Sequence, residues 1–442
     1  MTTTTPTTTT PTVDQIESNV RSYSRSFPVT FRRALGAKMW DTDGNEYLDF
    51  LAGAGTLNYG HNNPVIREAV IAHIESEAVV HGLDMMTETK AKFLQTFHEL
   101  ILAPRDLDYK VQFCGPTGTN AVEAALKLAR KVTGRAGVIS FTNGYHGMTL
   151  GALAVTGNFY HKESIPGTEG SNATFMPYNH YMEDSIDTLA LLRQYLTDNS
   201  SGVALPAAII VETVQGEGGI NVASAKWVRG LRELCTEFSV LMIVDDIQMG
   251  CGRTGGFFSF EEADITPDIV VLSKSIGAYG LPMALVLLKP ELDQWTPAQH
   301  NGTFRGHNLA FAAATKALEH FWSGSEFTQS IRHKSQILNE ELQKLAAAYP
   351  QADFEVRGRG LAYGIEAKAM PELASQIRQA CFAQKLIVET CGSDDQVLKF
   401  LPALTISEAE LRRGMTILST VLKRLLASEA ATHEATQMKK GA

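Results

Sequence analysis

The sequence of 442 residues has no apolar run close to the roughly 18 residues that a membrane-spanning helix needs. Its N-terminus, MTTTTPTTTTPT, lacks both the basic segment and the apolar core of a signal peptide. Basic residues are outnumbered, with 39 Lys and Arg against 48 Asp and Glu, and they form no stripe. We therefore expect neither a membrane nor a nucleic acid as a partner.

Cysteine is also scarce, since the chain has five cysteines with no C-x-x-C pair and no regular spacing. Most of them stand in apolar or helical sequence, which predicts reduced, buried thiols and a cytoplasmic location. No His, Cys and Asp residues have metal-binding spacing, so no metal site is predicted. An NAD-binding fold is disfavoured too, because no G-x-G-x-x-G follows an early strand.

Short apolar strands alternate with amphipathic helices through the middle of the chain. The strands are predicted at 137–141, 207–212, 240–245, 268–273 and 283–288, and the helices at 120–132, 226–238 and 308–322. Continuous apolar strands separated by helices indicate an α/β fold with a mostly parallel sheet covered on both faces. Ligands of such sheets bind beyond the carboxyl ends of the strands.

The rest of the chain predicts a smaller, discontinuous α+β domain. Its later part has expected helices at 328–346, 371–385 and 406–427, and its earlier part has a hairpin around Asp43-Gly44. The predicted organisation is a disordered Thr/Pro-rich tail at 1–16, the small domain at 17–55 and 321–428, the large domain at 56–320, and a tail at 429–442.

Three charged residues stand at the carboxyl ends of predicted strands: Glu212 and Asp245 are the last residues of theirs, and Lys274 directly follows another. If the strands are parallel, these side chains meet at one edge of the sheet. A lysine and an acid there suit an aldehyde cofactor, which the amine binds covalently while the acid keeps the ring nitrogen protonated. Ordinary strand-end charges are the alternative, and the strand pattern alone does not separate the two readings.

Two loops provide further candidates. The segment CGPTGTNAVEAALKLAR opens an amphipathic helix, whose N-terminus could bind an anion, with Thr119 or Asn120 as the expected cap; plain capping is the alternative. In FTNGYHGMTLGA, Tyr145 could stack on a flat ring or only fill a hydrophobic turn. For the neighbouring His146, a local hydrogen bond is favoured over a role as catalytic base.

A series of motifs in order resembles one family, the class III or ω-amino acid aminotransferases, which use pyridoxal phosphate and have fold type I. The motifs are YLDFLAGAGTLNYGHNNP, TGTNAVEAALKLAR, NGYHGMT, VETVQGEGG, DDIQMGCGRTG, LSKSIGAYGLPMA, GTFRGHN and LKFLPALTI. The resemblance covers residues 25–425. It implies a large domain that binds pyridoxal 5′-phosphate on a mostly parallel seven-stranded sheet.

The resemblance also implies roles for individual residues. Lys274 would bind the cofactor covalently and then move protons, and Asp245 would pair with the pyridine nitrogen. The other expected cofactor-binding residues are Gly118 and Thr119 at the phosphate, Ile247 and Tyr145 on the ring faces, Gln248 at the ring hydroxyl, Glu212 near the ring, and Thr303 at the phosphate of a neighbouring subunit. The smallest active unit would then be a homodimer, with higher homo-oligomers left open.

This chain departs from the family pattern at several positions. Asn120 and Asp246 stand where glutamates are usual, and both changes leave the cofactor contacts intact. Arg305 and Lys399 matter more, because Lys399 replaces the arginine that binds a substrate carboxylate and pairs with Glu217. Lysine cannot offer a bidentate fork, so Lys399, Arg305 or another residue could bind that carboxylate.

The segments ESNVRSYSRSFP, HGLDMMT and NGTFRG resemble those of the ectoine-pathway branch of the family. That similarity implies transfer of the amino group of L-glutamate to L-aspartate 4-semialdehyde, giving L-2,4-diaminobutyrate and 2-oxoglutarate. A transaminase for 4-aminobutyrate or another ω-amine, or an aminomutase of the same fold, is the alternative. A catalytically silent relative is disfavoured, because it would not need the desolvated amine of Lys274.

Overall fold

The computed structural model describes residues 13–165, 172–183 and 185–440. Within these ranges the strands β1 to β17 are Phe31–Leu35, Lys38–Asp41, Glu46–Asp49, Lys110–Phe113, Val138–Phe141, Ala173–Met176, Ala208–Val211, Val214–Gln215, Asn221–Val222, Leu241–Asp245, Ile269–Leu272, Leu285–Leu288, Phe354–Arg359, Ala362–Ala367, Leu386–Ile387, Glu389–Cys391 and Val397–Phe400. The helices α1 to α13 are Val13–Ile16, Tyr23–Ser26, Ala52–Gly55, Pro64–Glu75, Glu88–Phe97, Gly118–Thr133, Leu150–Ala154, Thr188–Thr197, Ala225–Glu237, Asn308–Phe321, Glu326–Ala348, Leu373–Ala383 and Glu408–Lys440.

A seven-stranded sheet forms the centre of the fold, with strand order β4-β12-β11-β10-β7-β5-β6. β12 is antiparallel to both of its neighbours, and the other pairs are parallel. Alternate residues of a strand enter two different apolar cores; on β10, Met242 and Val244 enter one and Ile243 the other. The predicted mostly parallel sheet, covered on both faces, is confirmed.

Both ends of the chain contribute to the smaller α+β part, as predicted. β1, β2 and β3 form an antiparallel meander whose second turn contains Asp43-Gly44, and β15 joins β3 in parallel through Leu386 and Leu48. A further antiparallel sheet has the order β13-β14-β17-β16. The exact domain boundaries stay predictions, and α10 runs across the one at 320/321.

The two predicted tails are only partly described. Residues 1–12 lie outside the described residues, and Val13–Ile16 form α1. At the other end α13 continues to Lys440, through most of the segment predicted as a tail, and residues 441–442 lie outside. All five cysteines are buried and free. No helix among the described residues has the length and apolar character to cross a membrane.

Candidate active site

Strand register brings the three predicted strand-end residues to one edge of the central sheet. Val244 of β10 pairs with Val211 of β7, so Glu212 and Asp245 leave their strands side by side. On the other side of β10, Asp245 itself pairs with Val271 of β11, and the chain turns at Lys274 three residues later. The carboxyl ends therefore converge as the sequence predicts.

Asp245 is buried and has one strong partner, His146. The Nδ1 atom of His146 lies 2.7 Å from Oδ2 of Asp245, and the amide of Ile247 donates to Oδ1 at 3.2 Å. Burial opposes a positive charge on His146, but the hydrogen bond and charge of Asp245 outweigh it and raise the pKa of the imidazole. His146 makes the expected local hydrogen bond through its backbone N–H, which donates to Thr156, and nothing in the sequence indicated the bond from its ring to Asp245.

Lys274 begins a short 3-10 turn, Lys274–Gly277, with a left-handed φ of +51°. Such backbone is strained for a residue with a side chain, and strain of this kind often marks functional sites. The hydroxyl of the next residue, Ser275, fixes the turn by donating to the carbonyl of Gly55 at 2.7 Å. Burial lowers the pKa of Lys274 to about 8, although the charge of Glu217 acts in the opposite direction. A substantial fraction of this amine is therefore neutral and nucleophilic near neutral pH.

Glu212 is a buried carboxyl that binds backbone. Its Oε1 accepts from the amide of Tyr145 at 2.8 Å, and its Oε2 accepts from the amide of Gly216 at 3.3 Å. Burial raises the pKa of Glu212 to about 7, with His146 acting against that rise. Glu212 thereby orients the turn that carries Tyr145, whose half-buried ring lies 5.8 Å from that of His161 at an interplanar angle of 77°.

A second charged group lies at the same edge. Nζ of Lys399, on β17, donates to Oε2 of Glu217 at 2.7 Å, and Nε2 of Gln248 donates to Oε1 at 2.9 Å. Burial disfavours the charge on Glu217, but Lys399, Lys274 and Gln248 outweigh it and lower the pKa to about 2. The side chain of Lys399 is 1% exposed and that of Glu217 is 28% exposed. The carboxylate is therefore the more exposed partner of the pair.

The predicted anion site is the N-terminus of α6, which begins at Gly118. Thr117 holds the cap position without a side-chain cap bond, so the expectation that Thr119 or Asn120 caps the helix is wrong. Asn120 instead donates to the Thr117 hydroxyl at 2.8 Å. The first amides of a helix have no acceptor within it, and those of Gly118 and Thr119 form the positive end of the helix dipole. A Cβ on Gly118 would lie 2.9 Å from Ile247, so the two are in close contact.

Comparison with known proteins agrees with this arrangement. The aminotransferase class-III family matches residues 20–422. The chain belongs to the class III aminotransferases.

Relatives of this aminotransferase are similar over almost their whole length. Three of them are named diaminobutyrate–2-oxoglutarate transaminase. The protein from Bordetella parapertussis is 53% identical over 94% of this chain and 95% of its own, and that from Wolinella succinogenes is 54% identical over 95% and 97%. The protein from Nocardia farcinica is 56% identical over 92% of both chains.

Solved structures show the same fold. The ornithine aminotransferase from Toxoplasma gondii is 27% identical to this chain, covers 92% of both chains and has a TM-score of 0.80. An S-selective transaminase from Arthrobacter, at 22% identity, has a TM-score of 0.84 and covers 93% of this chain and 96% of its own. The predicted fold type I architecture is confirmed.

Two further side chains of the aminotransferase lie close enough to Glu217 for its charge to affect them. Burial and then Glu217 raise the pKa of Tyr23, and burial lowers the pKa of His161 while Glu217 opposes the change. Sequence reasoning missed both as site residues. Tyr23 could have been found from its place in the motif ESNVRSYSRSFP, whereas His161 lies outside every motif quoted above and had no signal.

The structure does not bring Thr303 and Arg305 together with Lys274 within one chain. Thr303 is exposed in the loop before α10. Arg305 donates to the carbonyl of His300 at 3.1 Å and lines a cavity of about 300 Å³ with Asp84 and Trp295. The roles expected for Thr303 and Arg305 therefore stay predictions.

Proposed function

We propose that this aminotransferase transfers the amino group of L-glutamate to L-aspartate 4-semialdehyde, giving L-2,4-diaminobutyrate and 2-oxoglutarate. The observation that carries the proposal is the 53–56% identity, over more than nine-tenths of the chain, to proteins named for this reaction. The intact set of Lys274, Asp245 and Gln248 supports a working enzyme. That the product feeds ectoine synthesis stays a prediction.

The residues present fit pyridoxal 5′-phosphate, which we propose as the cofactor. The buried, partly neutral amine can bind its aldehyde, and the buried carboxylate can pair with its ring nitrogen. The N-terminus of α6 can bind its phosphate. The candidate ligands are Lys274, Asp245 and the amides of Gly118 and Thr119, with Gln248, Glu212, Ile247 and Tyr145 around the ring. When bound, the cofactor supplies a cationic ring that accepts electrons from the substrate carbon.

Residues of the chain would then transfer protons and keep the ring nitrogen protonated. The Lys274 amine, whose pKa burial lowers to about 8 in the cofactor-free protein, would take a proton from a substrate carbon and return it. Asp245 would hold the ring nitrogen in its protonated form, and the 2.7 Å bond to His146 fixes the orientation of that carboxylate. The apolar side chain of Ile247 would exclude water from one face of the ring.

Recognition of both substrates is assigned to the Glu217–Lys399 pair. In glutamate, the carbon whose amine is transferred also carries a carboxylate. In aspartate semialdehyde, the reacting carbon is the aldehyde, and the carboxylate is at the other end of the molecule. A site that serves both must offer a cation to one substrate and hide it from the other. Lys399 is paired with Glu217, which could turn away to expose it. Arg305 of a second copy is the other candidate for binding a carboxylate.

We further propose a cytoplasmic homodimer. The exposed position of Thr303 suits a contact with the phosphate of a neighbouring subunit, as the family resemblance implies. The five free, buried cysteines suit a reducing compartment. Crosslinking of a Thr303→Cys variant, followed by sizing of the product, would test whether this loop lies at an interface between subunits.

A panel of amino acceptors tests the proposed reaction. Purified protein with pyridoxal phosphate and L-glutamate is given aspartate semialdehyde, succinate semialdehyde or glutamate semialdehyde, and the products are separated by mass spectrometry. We expect 2,4-diaminobutyrate to form fastest. Faster formation of 4-aminobutyrate or ornithine would reject the substrate assignment while leaving the transaminase assignment in place.

A further inference from the structure

Arg357 has no role in the chemistry above, yet its side chain reaches the loop that carries Glu217. It lies on β13 with its side chain 16% exposed, and its Nε donates to the carbonyl of Gly219 at 2.8 Å. Its Nη1 lies 2.7 Å from Glu366 and 3.5 Å from Glu355. The two carboxylates thus orient the guanidinium with its Nε toward the loop.

The same sheet holds the loop at two further points. The amide of Gly392, directly after β16, donates to the backbone carbonyl of Glu217 at 2.9 Å. Lys399 on β17 binds the Glu217 carboxylate at 2.7 Å. Strands β13, β14, β17 and β16 form one sheet, so these three bonds all join the loop to the same sheet.

The opposite side of the loop is tightly packed. A Cβ on Gly218 would lie 2.2 Å from the backbone oxygen of Asn143, and one on Gly216 would lie 1.7 Å from Oε1 of Gln248. The loop is therefore closely packed against Asn143 and Gln248. Asn221 also donates to the Gly218 carbonyl and Gln248 to the Glu217 carboxylate, and among the described residues Arg357 is the side chain that binds the Gly219 carbonyl.

We infer that Arg357 is a positioning residue that keeps the Glu217 carboxylate on Lys399. It would act through the Gly219 carbonyl and touch neither substrate nor cofactor. We call the form in which Glu217 binds Lys399 closed and the form in which Glu217 has turned away open. In the closed form Lys399 is not available to a substrate carboxylate. By holding the loop backbone in place, Arg357 would favour the closed form over the open one. The inference rests on the proposed function in one respect, namely that Lys399 serves as the cation for a carboxylate.

Glutarate is a suitable probe, because it has two carboxylates and no amino group to transfer. Its affinity for the pyridoxal-phosphate-loaded protein can be measured by calorimetry. We expect Arg357→Met to bind glutarate about threefold to tenfold more tightly than wild type, because one stabilising bond of the closed form is lost. A protein that was merely damaged would bind the probe more weakly.

A double-mutant cycle makes the test specific. Glu217→Gln should itself bind glutarate more tightly, and adding Arg357→Met to it should change nothing further. Arg359 is the matched control, since it lies on the same face of β13 with the same 16% exposure but binds Thr213 and Ser259. Arg359→Lys should bind glutarate as wild type does. If Arg357→Met does not fold, Arg357→Lys, which keeps the charge without Nε, should show a smaller gain.

The outcomes separate this inference from the proposed function. Weaker binding in Arg357→Met, or an equal effect of that change in the Glu217→Gln background, would overturn the inference. So would failure of both wild type and Glu217→Gln to bind glutarate, because Lys399 would then not be a carboxylate site. Diaminobutyrate formation by wild type is measured separately, so a wrong substrate assignment with an intact cycle would leave the role of Arg357 standing.

Discussion

Lys274 of the cofactor-free protein should react with amine reagents at a much lower pH than an ordinary lysine. Burial lowers its pKa to about 8 from the ordinary 10.5. At pH 8, about half of the Lys274 side chains would be neutral, against about 0.3% of an ordinary lysine, which is a difference of about 150-fold in reactive amine. The charge of Glu217 works against this shift, so Glu217→Gln should lower the pKa of Lys274 further.

Competitive acetylation measures this directly. The cofactor-free protein and its Glu217→Gln variant are labelled with acetic anhydride over a range of pH, with Nα-acetyl-lysine as the internal standard. Mass spectrometry of the peptide that contains Lys274 gives the labelling midpoint. We expect about 8 in wild type and a lower value in the variant. A wild-type midpoint near 10.5, or a rise in the variant, would refute the reasoning.

Two further predictions concern stability. Replacing His146 with phenylalanine removes the 2.7 Å partner of the buried Asp245 carboxylate and should destabilise the cofactor-free protein by about 3 kcal/mol or more; an unchanged urea midpoint would contradict this. Gly218→Ala places a methyl group 2.2 Å from the Asn143 carbonyl and should lower stability by about 1–3 kcal/mol. Gly137→Ala is the control, because neither glycine has a positive φ and a Cβ on Gly137 would lie 3.6 Å from its nearest neighbour, Pro206; equal losses in both variants would show that the crowding is unimportant.

The edge of the central sheet could be predicted from sequence because its signals are local. Continuous apolar runs identify buried parallel strands, and the residues that follow such runs must lie beyond their carboxyl ends. Glu212, Asp245 and Lys274 were therefore identified without any knowledge of their partners. The strand bounds differ from the predicted ones by one or two residues, as at β10 and β12.

The contacts between these residues could not be read from the sequence. His146 and Asp245 are 99 positions apart, and nothing in either motif indicates that one binds the other. Arg357 and Gly219 are 138 positions apart, and the acceptor of their bond is a backbone carbonyl. Every residue has such a carbonyl, so the sequence does not indicate which one is bound. Apolar periodicity shows which face of an element is buried, but the partner of a polar group depends on how the sheets pack together.

The backbone conformation of one short segment could not be predicted from the sequence either. The four residues Ala52–Gly55 form a left-handed turn, although two of them are alanines. Left-handed backbone is unfavourable for alanine by about 1–2 kcal/mol per residue. Tertiary bonds accompany it, since Gln248 donates to the Ala54 carbonyl and Ser275 to that of Gly55. The composition AGAG alone gives no reason to expect this turn.

The account depends most on a covalent link between Lys274 and pyridoxal phosphate. Borohydride reduction of the loaded protein, followed by peptide mapping, measures that link directly. We predict that the phosphopyridoxyl label is found on the peptide that contains Lys274 and that pretreatment with L-glutamate greatly reduces it. A label on another lysine, or none at all, would contradict the account.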